Sequence, residues 1–278
     1  MKGQDPYLIS DFVEDFDVIA AEFAARSRKL SSHANMRTDI AYGERPREKL
    51  DLVFPPNATG NAPLHVFIHG GYWRSGEKAN YSFLAETPMS CGAITAIVEY
   101  DLMPNQRLDV LVHQIRRAIS WLHDNAASFG ANSNRITVSG HSAGAHLSSF
   151  LAASGPKEVS PALPKVKGLF LLSGIYDLVD IPDSFLKNEA AMTHEEAATW
   201  SPLSSTQLHD PRRIVAYGGD ETAPFLQQAK ALTERLEAEG QQAKLLEVAG
   251  RNHMSVLLDL ADPNSSAGSA LVELIETT

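Results

Sequence analysis

The sequence predicts an α/β fold: a mostly parallel sheet with helices on both faces. Three observations carry that expectation. Short apolar runs alternate with helix-spaced segments through most of the 278 residues. One run, Ile136-Thr137-Val138, leads into Gly140-His141-Ser142-Ala143-Gly144 and then into small, helix-tolerant residues. Another, 64–68, ends in His69-Gly70-Gly71-Tyr72-Trp73.

Taken in order, residues 10–30 show helical spacing, with Phe12, Phe16, Ile19 and Phe23 on one face and acidic residues between them. Residues 36–42 and 49–54 read as short strands, and 55–63, rich in proline and asparagine, as a loop. Strands follow at 64–68 and 94–100. A long helix is expected over 107–129, where Leu108, Leu111, Ile115, Ala118 and Leu122 mark the buried stripe. Beyond the glycine-serine motif come a strand at 166–173 and an irregular stretch, 174–204. A strand at 214–217 runs into Gly218-Gly219-Asp220. Next are a helix at 225–240, closed by glycine, a strand at 245–248, and a helix containing 270–275. The chain reads as one domain, 1–278. The long insertion 177–204, following a sheet strand, is expected to form a small cap.

Composition narrows the function classes. Lysine and arginine number 24 against 34 acidic residues, a net charge of −10. An acidic chain gains nothing from counterion release, so nucleic acid is not an expected partner. The single cysteine, Cys91, excludes an intrachain disulfide. Residues 1–12 lack the apolar core of a secretory signal, and no run of about 18 apolar residues exists to span a membrane. A cytoplasmic protein is the expectation, with monomer and homodimer left open. The sequence has no H-E-x-x-H, no Cys-His cluster and no phosphate-binding glycine loop. Neither a metal nor a cofactor is expected.

The chemistry centres on Ser142. A Gly-x-Ser-x-Gly turn between strand and helix is a nucleophile elbow. The strained serine needs neighbours two positions away that are nearly free of side chain, and the helix aims its first N–H groups at the hydroxyl. A serine hydroxyl is a weak nucleophile, so it needs a base, and the base needs an orienting group. In the α/β-hydrolase order both follow the serine, acid first. Asp220 ends one predicted strand and His253 lies just after the next, which puts both at the carboxyl edge of the sheet. Glu221 and Asp177 are rival acids. His141 and His146 sit on the elbow itself and cannot fold back as its base. His113 and His123 read as ordinary helix residues. The Gly70-Gly71 turn suits an oxyanion loop whose backbone N–H groups approach a substrate oxygen, with the Ala143 N–H as partner donor.

At this point the chain resembles a family. HGGYW followed by SGEK, and GHSAGAHL, are similar to the kynurenine formamidases (arylformamidases) of the α/β-hydrolase class. The likeness continues through SGIYDL at 173–178, NEAAMTHEEAATWSP at 188–202, GGDETAPFLQQ at 218–228 and NHM at 252–254. It covers residues from about 42 to about 260. The resemblance implies Ser142, Asp220 and His253 as the triad, with Gly70, Gly71 and Ala143 as oxyanion donors. It also implies hydrolysis of a small aromatic amide or ester, such as N-formylkynurenine. Arg251 departs from the pattern, since some relatives carry an acid there.

Tyr72 and Trp73 directly follow the oxyanion glycines and are expected to border the substrate. The cap would add Tyr176, Phe185 and Trp200 to an aromatic-walled pocket. Arg251 beside His253 is expected to favour an anionic substrate, unless it is a solvated loop residue. Two other functions compete: a general short-chain carboxylesterase with the same triad, and a ligand receptor on a disabled hydrolase scaffold.

Overall fold

A computed structural model describes residues 4–56, 60–159, 161–208 and 210–278. The middle of the predicted 55–63 loop, 57–59, lies outside the described residues, as do residues 1–3.

The elements in chain order are α1 (Phe16–Ser31), β1 (Asn35–Ala41), β2 (Lys49–Phe54), β3 (Ala62–Ile68), α2 (Glu86–Ser90), β4 (Ile94–Val98), α3 (Leu108–Asn125), β5 (Ala131–His141) and α4 (Ala143–Ser149). They continue with β6 (Ala153–Ser154), β7 (Gly168–Leu172), α5 (His194–Thr199), β8 (Thr206–Gln207), β9 (Arg212–Gly218), α6 (Ala223–Ala238), β10 (Ala243–Val248), α7 (Val256–Leu260) and α8 (Ser266–Glu276). Eight strands form one sheet in the order β1-β2-β4-β3-β5-β7-β9-β10. β2 runs antiparallel to both β1 and β4, and every pairing from β4 to β10 is parallel. This is the α/β-hydrolase fold the alternation predicts.

The sheet centre is buried on both faces, which is why β4 and β7 are unbroken runs of buried residues. α3 packs one stripe inward, with Leu108, Leu111, Val112, Ile115, Ala118, Ile119 and Leu122 all buried. α5 is short yet well started: Thr193 and Glu196 form a reciprocal capping box. Helix boundaries differ from expectation at the N-terminus. A 3-10 turn, Ile9–Asp11, precedes α1, so Phe12 falls outside the helix and stands 43% exposed. The predicted apolar face therefore begins at Phe16. Among the described residues no helix is long and apolar enough to cross a membrane.

Parallel strands with right-handed crossovers bring the loops after β3, β5, β7, β9 and β10 to one edge of the sheet. Each sequence motif singled out above lies in one of these loops.

Candidate active site

Ser142 joins β5 to α4 with φ 54° and ψ −120°, a conformation that costs a non-glycine residue roughly 1–3 kcal/mol. The flanking glycines explain how the turn exists. A Cβ on Gly140 would stand 2.3 Å from the Gly144 carbonyl oxygen, and one on Gly144 would stand 2.1 Å from that of Ile68. The turn is pinned by the Ser142 N–H donating to Leu172 O at 2.9 Å.

The loop after β3 hugs the elbow. A Cβ on Gly70 would meet the His141 carbonyl oxygen at 2.9 Å and the Ser142 Cβ at 3.1 Å. Gly71, Tyr72 and Trp73 all take positive φ, at 113°, 51° and 59°. Only the first of these is a glycine, so the loop must be held from outside. It is. Trp73 Nε1–H donates to His146 Nδ1 at 3.0 Å, and the Trp73 carbonyl accepts from Met103 N–H at 2.8 Å. His69 lies buried beneath, with Nδ1 2.7 Å from Gly70 O and Nε2 2.8 Å from Glu99 Oε1. Burial pushes the Glu99 carboxyl up, but His69, the Lys78 N–H and Arg47 together hold it below the usual range. Among the described residues, no backbone or side-chain acceptor takes the N–H of Gly70, Gly71 or Ala143. Of the three, Gly71 lines the cavity described below.

On the other side, His253 Nδ1 lies 2.9 Å from Glu221 Oε2, and the Glu221 side chain is fully buried. Its second oxygen, Oε1, accepts from the Gly218 N–H at 2.7 Å and from the Ser173 hydroxyl. The carboxylate on His253 is thus that of Glu221 and not that of Asp220, where the acid was expected. The reason is the turn. Glu221 N–H closes onto Gly218 O at 3.1 Å, while Asp220 N–H is spent on Arg251 O at 3.0 Å. That geometry turns Asp220 out to solvent and residue 221 inward, where the longer glutamate reaches the imidazole. Asp177 is also elsewhere: its carboxylate accepts from its own turn at Val179 N–H, 3.1 Å away.

His141 has a role the sequence did not suggest. Its Nε2–H donates to the His253 carbonyl at 2.8 Å, and the two rings lie 4.7 Å apart. Burial, and then the neighbouring His253, hold its pKa well below the ordinary histidine value, so the ring is neutral. The turn that carries Ser142 thus also fixes the backbone of His253.

Ser142, His141, His253, Gly71 and Tyr72 share one cavity of about 340 Å³. Its other walls differ from expectation. Of the aromatic residues predicted to line it, Tyr72 and Phe185 do so. Trp73, Tyr176 and Trp200 do not. Trp73 is wholly buried against His146. Tyr176 is buried under the sheet edge, with its hydroxyl on Leu171 O at 3.3 Å. Trp200 packs on Phe150 and receives His146 Nε2–H on its carbonyl at 2.7 Å. These are core residues that brace the loops. Arg251 also faces away from the cavity: its Nε–H donates to Asp259 Oδ1 at 3.1 Å. The missing walls come from the N-terminus, through Leu8, Ile9, Phe16 and Phe23, and from Arg74, Asn80 and Tyr81 after β3. The 177–204 insertion contributes Phe185 alone. Among the described residues no cluster of three or more His, Cys, Asp or Glu is disposed to hold a metal ion.

Fold and relatives define the class: an α/β-hydrolase enzyme that cleaves amides or esters. The family model BD-FAE matches residues 50–236. A solved protein of Silicibacter sp. TM1040 superposes with a TM-score of 0.82 at 28% identity, covering 99% of each chain. An esterase of Pyrobaculum calidifontis shares the fold at 18% identity, TM-score 0.74, over 95% of this chain and 93% of its own. Kynurenine formamidase of Danio rerio is 30% identical over 267 residues, which cover 93% of this chain and 89% of the relative. Isoprenylcysteine alpha-carbonyl methylesterase of Arabidopsis thaliana is also 30% identical, over 80% of this chain and 57% of its own. The chain belongs to the kynurenine formamidase family.

Proposed function

We propose that the protein removes a formyl or other small acyl group from an aryl amide such as N-formylkynurenine, through an acyl-enzyme on Ser142. The chain works as one hydrolase unit. The observation that carries the reading is that Ser142 and His253 line one cavity, with His253 Nδ1 2.9 Å from the buried Glu221 carboxylate behind it.

Ser142 Oγ attacks the acyl carbon while His253 Nε2 takes its proton. Glu221 receives the Nδ1–H, which fixes the tautomer that leaves Nε2 basic, and its buried charge stabilises the imidazolium. The developing oxyanion lies toward the N–H groups of Gly70, Gly71 and Ala143. His253 then gives its proton to the departing aryl amine. Water attacks the acyl-serine with His253 again as base, which releases formate and restores the hydroxyl. An aryl amine leaves more readily than an alkyl amine because its lone pair is delocalised.

A general short-chain carboxylesterase is the second reading. It is favoured by the similarity to a methylesterase and uses the same residues. Turnover of an aryl formamide against the matched aryl acetate ester separates the two. Amide turnover at least comparable to ester turnover, lost in Ser142→Ala, supports the formamidase. Ester turnover alone supports the esterase. Activity undiminished in Ser142→Ala overturns both.

A further inference from the structure

The cavity beside Ser142 is walled in part by a segment that the α/β fold does not require. Residues 5–10 precede α1 and lie ahead of the stretch 50–236 that the family model matches. Leu8, Ile9 and Ser10 line the cavity, and the segment is a strap tied to its neighbours by several hydrogen bonds. Phe185 N–H donates to Asp5 Oδ2 at 2.7 Å, and the same carboxylate accepts from Tyr7 N–H at 2.9 Å. The Thr222 hydroxyl donates to Pro6 O at 2.7 Å, and Gln228 Nε2–H to the Tyr7 hydroxyl at 3.0 Å. The Tyr72 hydroxyl, from the oxyanion loop, donates to Tyr7 O. The Tyr7 ring meets Phe225 edge-on, and Phe225 in turn lies 4.3 Å from the His253 ring. These anchors belong to three regions around Ser142: the oxyanion loop, the 177–204 insertion and the start of α6.

We infer that this strap, through Ile9 and Leu8 and latched by the Tyr72 hydroxyl, is the wall that sets the size of the acyl group the enzyme accepts. The inference rests on the reading of Ser142 as nucleophile. Its physical basis is packing. Ile9 is buried yet borders the cavity, so a longer acyl chain must displace a side chain held by its neighbours. Forcing extra methylenes into a packed wall typically costs about 1–3 kcal/mol, roughly 5- to 150-fold in rate. The substrates selected are thus aryl amides or esters with a short acyl part.

The test is kcat/KM for p-nitrophenyl acetate and p-nitrophenyl octanoate, which share a leaving group. Wild type is expected to favour acetate strongly. Ile9→Ala should shift the octanoate-to-acetate ratio upward by about fivefold or more. Tyr72→Phe removes only the latching hydroxyl and should shift the ratio the same way, so the inference stays testable if Ile9→Ala folds poorly. Val18→Ala, on the exposed side of α1, should leave the ratio at the wild-type value. A wild type that takes octanoate as readily as acetate overturns the wall. So does an unchanged ratio in Tyr72→Phe and in folded Ile9→Ala. Ester turnover that survives in Ser142→Ala would instead overturn the reading of the site.

Discussion

The two sides of the active site are built on different principles. The side that carries Ser142 and the loop after β3, proposed to hold the nucleophile and the oxyanion, is held by the backbone. Its shape depends on glycines at 70, 140 and 144, where a Cβ would come within 2.9 Å or less of a carbonyl oxygen. The side of the proposed base and acid, after β9 and β10, is held by side chains: Glu221 on His253, Ser173 on Glu221, and His141 on the His253 carbonyl. Backbone constraints leave a fixed motif in the sequence. Side-chain constraints can be met from a neighbouring position, and here they are met by Glu221 where Asp220 was expected.

The comparison is sharpened most strongly by Ser142→Ala. It should lower kcat by about 10⁵-fold or more, with the thermal unfolding midpoint little changed, since removing one hydroxyl leaves no cavity of consequence. Residual activity above a few per cent, measured in a preparation free of wild-type enzyme, would place the chemistry elsewhere. Trp200→Ala comes next, and its effect should fall on stability. Truncating a buried tryptophan costs about 3–5 kcal/mol in urea unfolding. KM for a small aryl substrate should be nearly unaltered, because Trp200 does not border the cavity. A large rise in KM with intact stability would return it to the binding site.

Ser173→Ala probes the side-chain-held half. Losing one hydrogen bond to a charged acceptor costs about 1.5–3 kcal/mol, and about half of that should appear as a roughly 3- to 10-fold lower kcat. Wild-type kcat in that variant would mean Glu221 is oriented without the hydroxyl.

Acid should weaken the whole fold before it titrates most carboxylates. His65 and His146 are buried and neutral, with pKa values lowered by desolvation from 6.5 to about 3 and about 4. The unfolded chain binds these protons first as pH falls below 6.5. Stability is therefore complete above that pH and declines toward the folded-state values, by up to about 1.4 kcal/mol per pH unit for each histidine. Urea midpoints at pH 7.5, 6 and 5 should fall in that order, and a flat series would contradict the buried neutral state. The smallest effect is expected from Arg251→Ala. The Arg251–Asp259 pair is partly solvated and contributes less than about 1 kcal/mol. Preference among anionic and neutral substrates should not change, and a lost anionic preference would bring Arg251 back into the site.

The sheet, its helices and the positions of Ser142 and His253 at the same edge were legible because each is encoded locally, by alternation, a glycine pair or a strand end. The acid was not. Asp220 and Glu221 are adjacent, and only the closure of the 218–221 turn decides which points inward. The pocket walls were less legible still. Tyr176 and Trp200 are aromatic and close in sequence to the site, but aromatic rings serve a core as readily as a pocket. Leu8 and Ile9 reach the cavity from more than a hundred residues upstream of Ser142. The bonds that place them, such as Asp5 to Phe185 and Thr222 to Pro6, have no local signature.

The central claim is that Ser142 is driven by His253 held on Glu221. It is tested most directly by the rate of covalent labelling with a fluorophosphonate probe, followed by mass spectrometry of the modified peptide. The account predicts a single adduct on Ser142 in the wild type. Labelling should be slowed by about three to four orders of magnitude in Glu221→Gln, because an amide there favours the wrong imidazole tautomer, and near wild-type in Asp220→Asn. An adduct on another residue, or Asp220→Asn labelling as slowly as Glu221→Gln, would contradict it.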